Sequence, residues 1–293
     1  MELLKKIFHW ILIVVGALYL IVCIMVFVYP QLFFYAPSST RSDINNAHRY
    51  GYKAQEVTYN SKDGTPLFAW YTKPLRGQHK VIVFMHGNSY NIEEFYYKLK
   101  TFADIGYGTL MPEYRGFGGV KGWINQANLE ADAIAAVEYL YSQGYKNEDI
   151  YIYGMSLGSH MAVNTVYRLQ KQKKQPFAGL ILEVPFDSLL NVAKMVVPVP
   201  MPFELIMRDQ YDNLAMIEDI ESPILIMGGS IDPTVPVDLA QNLYNYAPEP
   251  KKLIIYANGK HSNLYNFRND LDILDWINAN ENGWLKADEE SLD

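Results

Sequence analysis

The chain has 293 residues, of which 49% are apolar, and a formal net charge of −7. That balance argues against nucleic acid as a partner, because nucleic acid is generally held by a basic face. Lys171, Lys173 and Lys174 read as a solvated helix end. The single cysteine, Cys23, excludes an intrachain disulfide, and the sequence contains neither zinc-type Cys/His spacing nor a phosphate-binding glycine loop.

Ile7 to Tyr29 carries no Asp, Glu, Lys or Arg. As a helix it extends about 34 Å, enough to cross a hydrocarbon core of about 30 Å. Trp10 and Tyr29 lie near its two ends, where amphipathic rings settle at membrane interfaces. A cleaved signal peptide has a shorter apolar core and a small-residue cleavage site. Here the run ends in Tyr29-Pro30-Gln31-Leu32-Phe33-Phe34-Tyr35-Ala36-Pro37, with no Ala-x-Ala. Residues 1–30 therefore read as an uncleaved single-pass anchor. Lys5 and Lys6 precede the span and no Lys or Arg follows it until Arg41. By the positive-inside rule this puts the remaining chain on the extracytoplasmic side. Residues 31–53 read as a juxtamembrane linker, with Leu32–Tyr35 along the membrane surface or packed on the domain.

Residues 54–285 have the pattern of one α/β domain, of a usual size for that class. Gln55–Asn60 and Leu67–Tyr71 flank an Asp63-Gly64 turn and predict a hairpin. Val81–Met85, Gly108–Met111, Ile150–Tyr153, Gly179–Leu182, Ile224–Met227 and Leu253–Tyr256 read as buried strands. Helical patterns over Ile92–Asp104, Leu129–Ser142, Ser159–Leu169, Val237–Tyr246 and Tyr265–Asn278 separate them. Such alternation predicts a mostly parallel sheet covered on both faces. Within it, residues 186–212 form a small cap segment. Its Met195–Phe203 stretch is apolar, and Pro198, Pro200 and Pro202 prevent a regular helix. Met195, Val197 and Phe203 are candidates for an acyl-binding lip or for sealing the core. Residues 286–293 read as an acidic tail.

Three loops carry the chemistry. Gly154-Met155-Ser156-Leu157-Gly158 lies between a strand and a helix, the setting of a nucleophile elbow that exposes a serine hydroxyl at a helix N-terminus. Such a serine needs a base, and the base needs an acid to orient it. Asp232 follows the strand at Ile224–Met227, and His261 follows the strand at Leu253–Tyr256. In an open parallel sheet these loops converge at one edge. His86-Gly87-Asn88 ends another strand, so the Asn88 and Leu157 amides are candidate donors to a developing oxyanion. His86, His160, Glu183 and Arg115 read as structural.

The residues His86-Gly87-Asn88, Glu113-Tyr114-Arg115-Gly116-Phe117-Gly118, the glycine-flanked Ser156, Asp232 with Val235-Pro236, and Gly259 to His261 resemble the α/β-hydrolase superfamily. The likeness runs from about Ala54 to Trp276 and is nearest the membrane-anchored group of bud-emergence-type and depalmitoylating hydrolases. The resemblance implies an α/β-hydrolase fold and a Ser156–His261–Asp232 triad. It also implies an acyl-enzyme, no cofactor, and a small-molecule or lipid acyl ester or thioester as substrate. Glu113 departs from the pattern, since relatives more often carry Asp there. Because this fold hosts many reactions, a prolyl-type peptidase and a catalytically silent membrane scaffold stay open as alternatives.

Overall fold

The computed structural model describes residues 1–283. The expected acidic tail, and the last residues of the expected 54–285 domain, lie outside that range. An eight-stranded sheet organises the chain. Its strands are β1 (Gln55–Asn60), β2 (Pro66–Thr72), β3 (Val81–Met85), β4 (Gly108–Pro112), β5 (Ile150–Met155), β6 (Gly179–Glu183), β7 (Ile224–Gly229) and β8 (Lys251–Tyr256). Their spatial order is β1-β2-β4-β3-β5-β6-β7-β8. The tight turn joining β1 and β2 makes them antiparallel, and β2 also runs antiparallel to β4. The remaining neighbours are parallel. Parallel neighbours need crossover connections, and helices supply them here.

The main helices are α1 (Glu2–Val28), α2 (Tyr96–Asp104), α3 (Gln126–Ser142), α4 (Leu157–Lys173), α5 (Leu189–Val196), α6 (Phe203–Ile206), α7 (Val237–Tyr246) and α8 (Asn269–Glu281). Successive strand side chains point to opposite faces. Val81, Val83 and Met85 thus bury against α3, α4 and α7, while Ile82 and Phe84 bury against α2 and α8. Both faces being covered explains why the central strands are continuously apolar. Two expected helices are divided. Ile92–Phe95 is a 3-10 turn capped by the Asn91 side chain, ahead of α2. Leu264–Phe267 is another, set off from α8 by Arg268 in a left-handed conformation, φ 61°.

The stretch 31–53, expected as a linker, is woven into the domain instead. Ala36–Pro37 pairs in parallel with Ser89–Tyr90. Tyr35 is buried and hydrogen-bonds Asp209 and Tyr211. Tyr52 is wholly buried, its hydroxyl 2.7 Å from Thr109 Oγ1. These rings are too large to leave in water when the domain offers a site for each. Most of α1 projects away from the domain. Cys23 and Val26 are its buried residues, packed with Ala193, Phe203, Ile206 and Met207 of the cap.

Arg115 fastens the β1–β2 turn to α3. Its guanidinium donates to Asp132 at 2.6 and 2.9 Å, to Asp63 at 2.7 Å and to Ser61 Oγ at 3.0 Å. Hydrogen bonds from Arg115 hold the exposed Asp63 carboxyl well below the usual carboxylate range. Asp132 is wholly enclosed, so losing the arginine strands a buried charge. Arg115→Met is expected to cost about 3–5 kcal/mol, read as a fall in the denaturation midpoint of the full chain. A midpoint unchanged from wild type would show that water or another cation replaces the guanidinium.

Candidate active site

The site lies where the sheet order reverses. The chain crosses from β3 to β4 on one side and later enters β5 on the other, leaving a crevice beyond their C-terminal ends. Ser156 stands at the end of β5 with φ 54° and ψ −121°, a strained conformation for a residue with a side chain. The flanking glycines serve close approach rather than a left-handed turn. A Cβ on Gly158 would sit 1.9 Å from the Met85 carbonyl oxygen, and one on Gly154 would sit 2.3 Å from that of Gly158. The positive φ falls on the serine itself. Its amide donates to the Glu183 carbonyl at 2.9 Å, and its carbonyl accepts from the Ser159 amide and hydroxyl.

Ser156 Oγ lies 2.9 Å from His261 Nε2, and His261 Nδ1 lies 2.7 Å from Asp232 Oδ2. The other Asp232 oxygen accepts from the Thr234 and Val235 amides at 2.8 and 3.0 Å. Asp232 therefore caps its turn and orients the imidazole with separate oxygens. The acid and base loops are also tied directly. Ser230 and Ile231 amides donate to the Tyr256 and Gly259 carbonyls, each at 3.0 Å. A hydroxyl–imidazole–carboxylate chain with these distances can pass a proton from the serine to the histidine.

Asn88 and Leu157 line the same cavity as Ser156. Among the described residues neither backbone amide has a protein acceptor, so both are free to meet a negative oxygen. The Asn88 side chain is occupied elsewhere, donating to the Phe34 carbonyl at 2.8 Å.

The cavity holds about 370 Å³ and is walled mainly by apolar groups, with Val192, Ala193, Val197, Met201 and Phe203 on the cap side. Val22 and Val26 of α1 complete the wall. Of the three lip candidates, Val197 and Phe203 line it. Met195 does not: the last turn of α5 carries it outward, where it is 48% exposed. A more polar cavity of about 390 Å³ beside Trp123, Glu130 and Arg208 touches none of Ser156, Asp232 and His261. The apolar one is the space that meets the hydroxyl.

The bracing residues surround this centre. His86 is enclosed, with Nδ1 against the Gly87 carbonyl at 2.9 Å and Nε2 3.1 Å from Glu113 Oε1, off the line of a good hydrogen bond. Glu113 also accepts from Ser42 Oγ and the Ile92 amide. Buried His160 lies between Asn213 and Glu130, at 2.9 and 3.0 Å. Glu183 is fully buried and accepts from Lys98 Nζ at 2.6 and 2.9 Å and from the Tyr153 hydroxyl. Burial, and then the Glu183 carboxylate, push the Tyr153 phenol well above its ordinary pKa, so it stays protonated and donates. Sequence reasoning missed Lys98. One lysine in a polar helix face carries no local mark of burial; only its pairing with Glu183, 85 residues away, reveals it.

Comparison with known proteins agrees with this architecture. A family described as "Serine aminopeptidase, S33" matches residues 77–208. The uncharacterized protein YfhR of Escherichia coli (strain K12) is 26% identical over 271 residues, covering 90% of this chain and 89% of that one. Lysophosphatidylserine lipase ABHD12 of Mus musculus is 29% identical over 201 residues, covering 61% of this chain and 48% of that protein. Among solved structures, the Pyrococcus furiosus esterase PF2001 superposes with a TM-score of 0.66 at 16% identity, covering 84% of this chain and 96% of that one. An acetyl xylan esterase from Paenibacillus sp. R4 gives 0.62 at 21% identity, covering 86% and 99%. The molecule has the α/β-hydrolase fold. Its similarity in sequence extends to a serine aminopeptidase family and to a lipase.

The spacing of the acid and base loops rests on Gly229, where a Cβ would lie 2.5 Å from the Gly259 carbonyl group. Gly229→Ala is expected to push the loops apart and slow labelling by a fluorophosphonate about a hundredfold, with the circular dichroism spectrum preserved. Labelling at the wild-type rate would mean the two loops tolerate separation.

Proposed function

We propose that this protein is a membrane-anchored serine hydrolase that cleaves an acyl ester or thioester through Ser156, His261 and Asp232. One observation carries the reading: the hydroxyl that lies 2.9 Å from an imidazole also lines an apolar cavity of about 370 Å³. Ser156 Oγ attacks the acyl carbonyl carbon while its proton passes to His261 Nε2. The electron pair displaced from the carbonyl collects on its oxygen, facing the Asn88 and Leu157 amides. As the tetrahedral species collapses, His261 returns the proton to the leaving alkoxide or thiolate. Water, activated by the same imidazole, then releases the acyl group from Ser156. Asp232 stays ionised throughout and stabilises the imidazolium. These steps call on no metal or organic cofactor.

The helix Glu2–Val28 is long and apolar enough to cross a membrane, and we assign it as the anchor. An anchor joined to a hydrolase domain with a small cap supports a kinship with the membrane-anchored group of bud-emergence-type and depalmitoylating hydrolases. The apolar wall suits an acyl chain. A relative named as a lysophosphatidylserine lipase is consistent with a lipid as its carrier. The match to a serine aminopeptidase family favours a second reading, peptide cleavage. An aminopeptidase needs an anion to hold the substrate's ammonium group, and among the described residues the cavity wall carries neither Asp nor Glu. That favours the ester or thioester.

Ser156→Ala is expected to reduce hydrolysis of a p-nitrophenyl acyl ester by at least about a thousandfold, with the melting transition intact. Activity surviving in that variant would remove Ser156 from the chemistry. Filling the cavity with Ala193→Phe is expected to shift preference toward short acyl chains. The ratio of kcat/KM for a long-chain ester to that for an acetyl ester should fall about tenfold or more, the scale on which a hydrophobic pocket discriminates chain size. A ratio left as in the wild type would place the acyl chain elsewhere.

A further inference from the structure

The cap and α1 touch at three levels. Arg208 lies over the Phe27 ring, 5.7 Å from its centroid. Val26 and Cys23 pack with Ala193, Phe203 and Ile206. Deepest, the Tyr19 hydroxyl donates to the Pro200 carbonyl at 2.9 Å. From Phe27 to Tyr19 a helix rises about 12 Å, against a half-thickness of about 15 Å for the hydrocarbon core. The cap thus runs down α1 into the depth that a spanning helix occupies.

We propose that residues 195–203 form a membrane-inserting loop that enters one leaflet alongside α1, so that the acyl cavity between them opens to the lipid. This rests on α1 being the anchor assigned above. Three independent features fit lipid rather than water. The loop carries no ionisable side chain, and the charges on its two shoulders, Lys194 and Glu204, pair with each other at 2.6 Å. Its outward side chains are apolar, with Val199 51% and Met195 48% exposed.

The third feature is the backbone. An unpaired amide in hydrocarbon costs several kcal/mol, which normally keeps irregular chain out of lipid. Pro198, Pro200 and Pro202 have no N–H to satisfy. Val197 and Phe203 donate to the Ala193 and Met201 carbonyls, at 3.0 and 2.9 Å. The Pro202 carbonyl accepts from the Leu205 amide, and that of Pro200 accepts from Tyr19. Among the described residues, Val199 and Met201 are left as the amides without a protein partner in this stretch. The three prolines that forbid a helix are the same residues that make the loop tolerable in lipid. The cavity wall draws on both elements, Val22 and Val26 from α1 and Val196, Val197 and Met201 from the loop.

The test uses the full chain with Cys23→Ala, carrying a nitrobenzoxadiazole label on Val199→Cys and reconstituted in phosphatidylcholine vesicles. Labels on Leu12→Cys, midway along α1, and on Lys62→Cys, in the β1–β2 turn, serve as references. With mid-chain brominated phosphatidylcholine, the label at 199 is expected to be quenched at least half as strongly as that at 12, and that at 62 hardly at all. Quenching at 12 without quenching at 199 overturns the loop and leaves the anchor standing. Quenching at neither overturns both. A label at 199 that is shielded from water yet unquenched assigns the loop to a contact between copies of the chain, which also overturns the proposal.

None of these readouts needs catalysis, so they stand apart from the assigned reaction. In the active chain, Val199→Asp is expected to slow hydrolysis of a long-chain ester held in vesicles about tenfold. Cleavage of a water-soluble acetyl ester should be unchanged, because Val199 does not line the cavity. Equal loss on both substrates, or loss on neither, overturns the lipid-facing mouth.

Discussion

The first turn of α4 can approach the end of β3 only because Gly158 has no side chain. The turn that carries Ser156 is shaped by that contact. The helix is seated so close that a Cβ on residue 158 would lie 1.9 Å from the Met85 carbonyl oxygen, and the chain leaving β5 turns sharply to reach it. Ser156 takes up that turn at φ 54°, a strain of about 1–3 kcal/mol. Leu157 begins the helix, so its amide lies outside the helix ladder, and the residue lines the cavity that Asn88 also lines. The exposed hydroxyl and the free Leu157 amide thus lie on either side of one packing constraint.

Polar groups, not apolar packing, hold the surrounding loops in register. Glu183 gives its carbonyl to the Ser156 amide and its carboxylate to Lys98 and Tyr153. A buried ion pair of this kind adds little net stability, but removing one partner is costly because it isolates the other charge. The arrangement is therefore better understood as fixing geometry than as contributing to the folding free energy. On the opposite side of the crevice, backbone hydrogen bonds between the Ser230–Ile231 and Tyr256–Gly259 segments do the same for the acid and the base.

The parts of the molecule legible in the sequence are those encoded locally. Apolar runs of strand length, the Asp63-Gly64 turn and the order Ser156, Asp232, His261 each need only a few neighbouring residues to be recognised, and each lies where it was read. What escaped was encoded across distance. Lys98 resembles a solvated helix lysine until Glu183 is placed beside it. Tyr35 and Tyr52 belong to a stretch polar enough to pass for a linker, yet their rings fill sites built from residues 109, 209 and 211.

The path of the chain out of α1 joins these themes. After α1, residues 31–34 form a single helical turn, and the backbone then passes directly over the loop that carries Asn88. The Phe34 carbonyl accepts from the Asn88 side chain, and the Ala36 amide donates to the Asn88 carbonyl at 2.9 Å. Tyr35, between them, is locked to Asp209 and Tyr211 at the base of the cap. The segment leaving the apolar helix thus grips both ends of the residue whose amide faces the cavity. The position of α1 relative to the domain is therefore not an independent variable. Any tilt of the helix that moves Phe34 is transmitted to Asn88 through two hydrogen bonds, and to the cap through Tyr35. A flexible tether could anchor a hydrolase near a membrane without affecting its chemistry. Here the connection is short and hydrogen-bonded both to the Asn88 loop and to the cap, so α1 is tied to each.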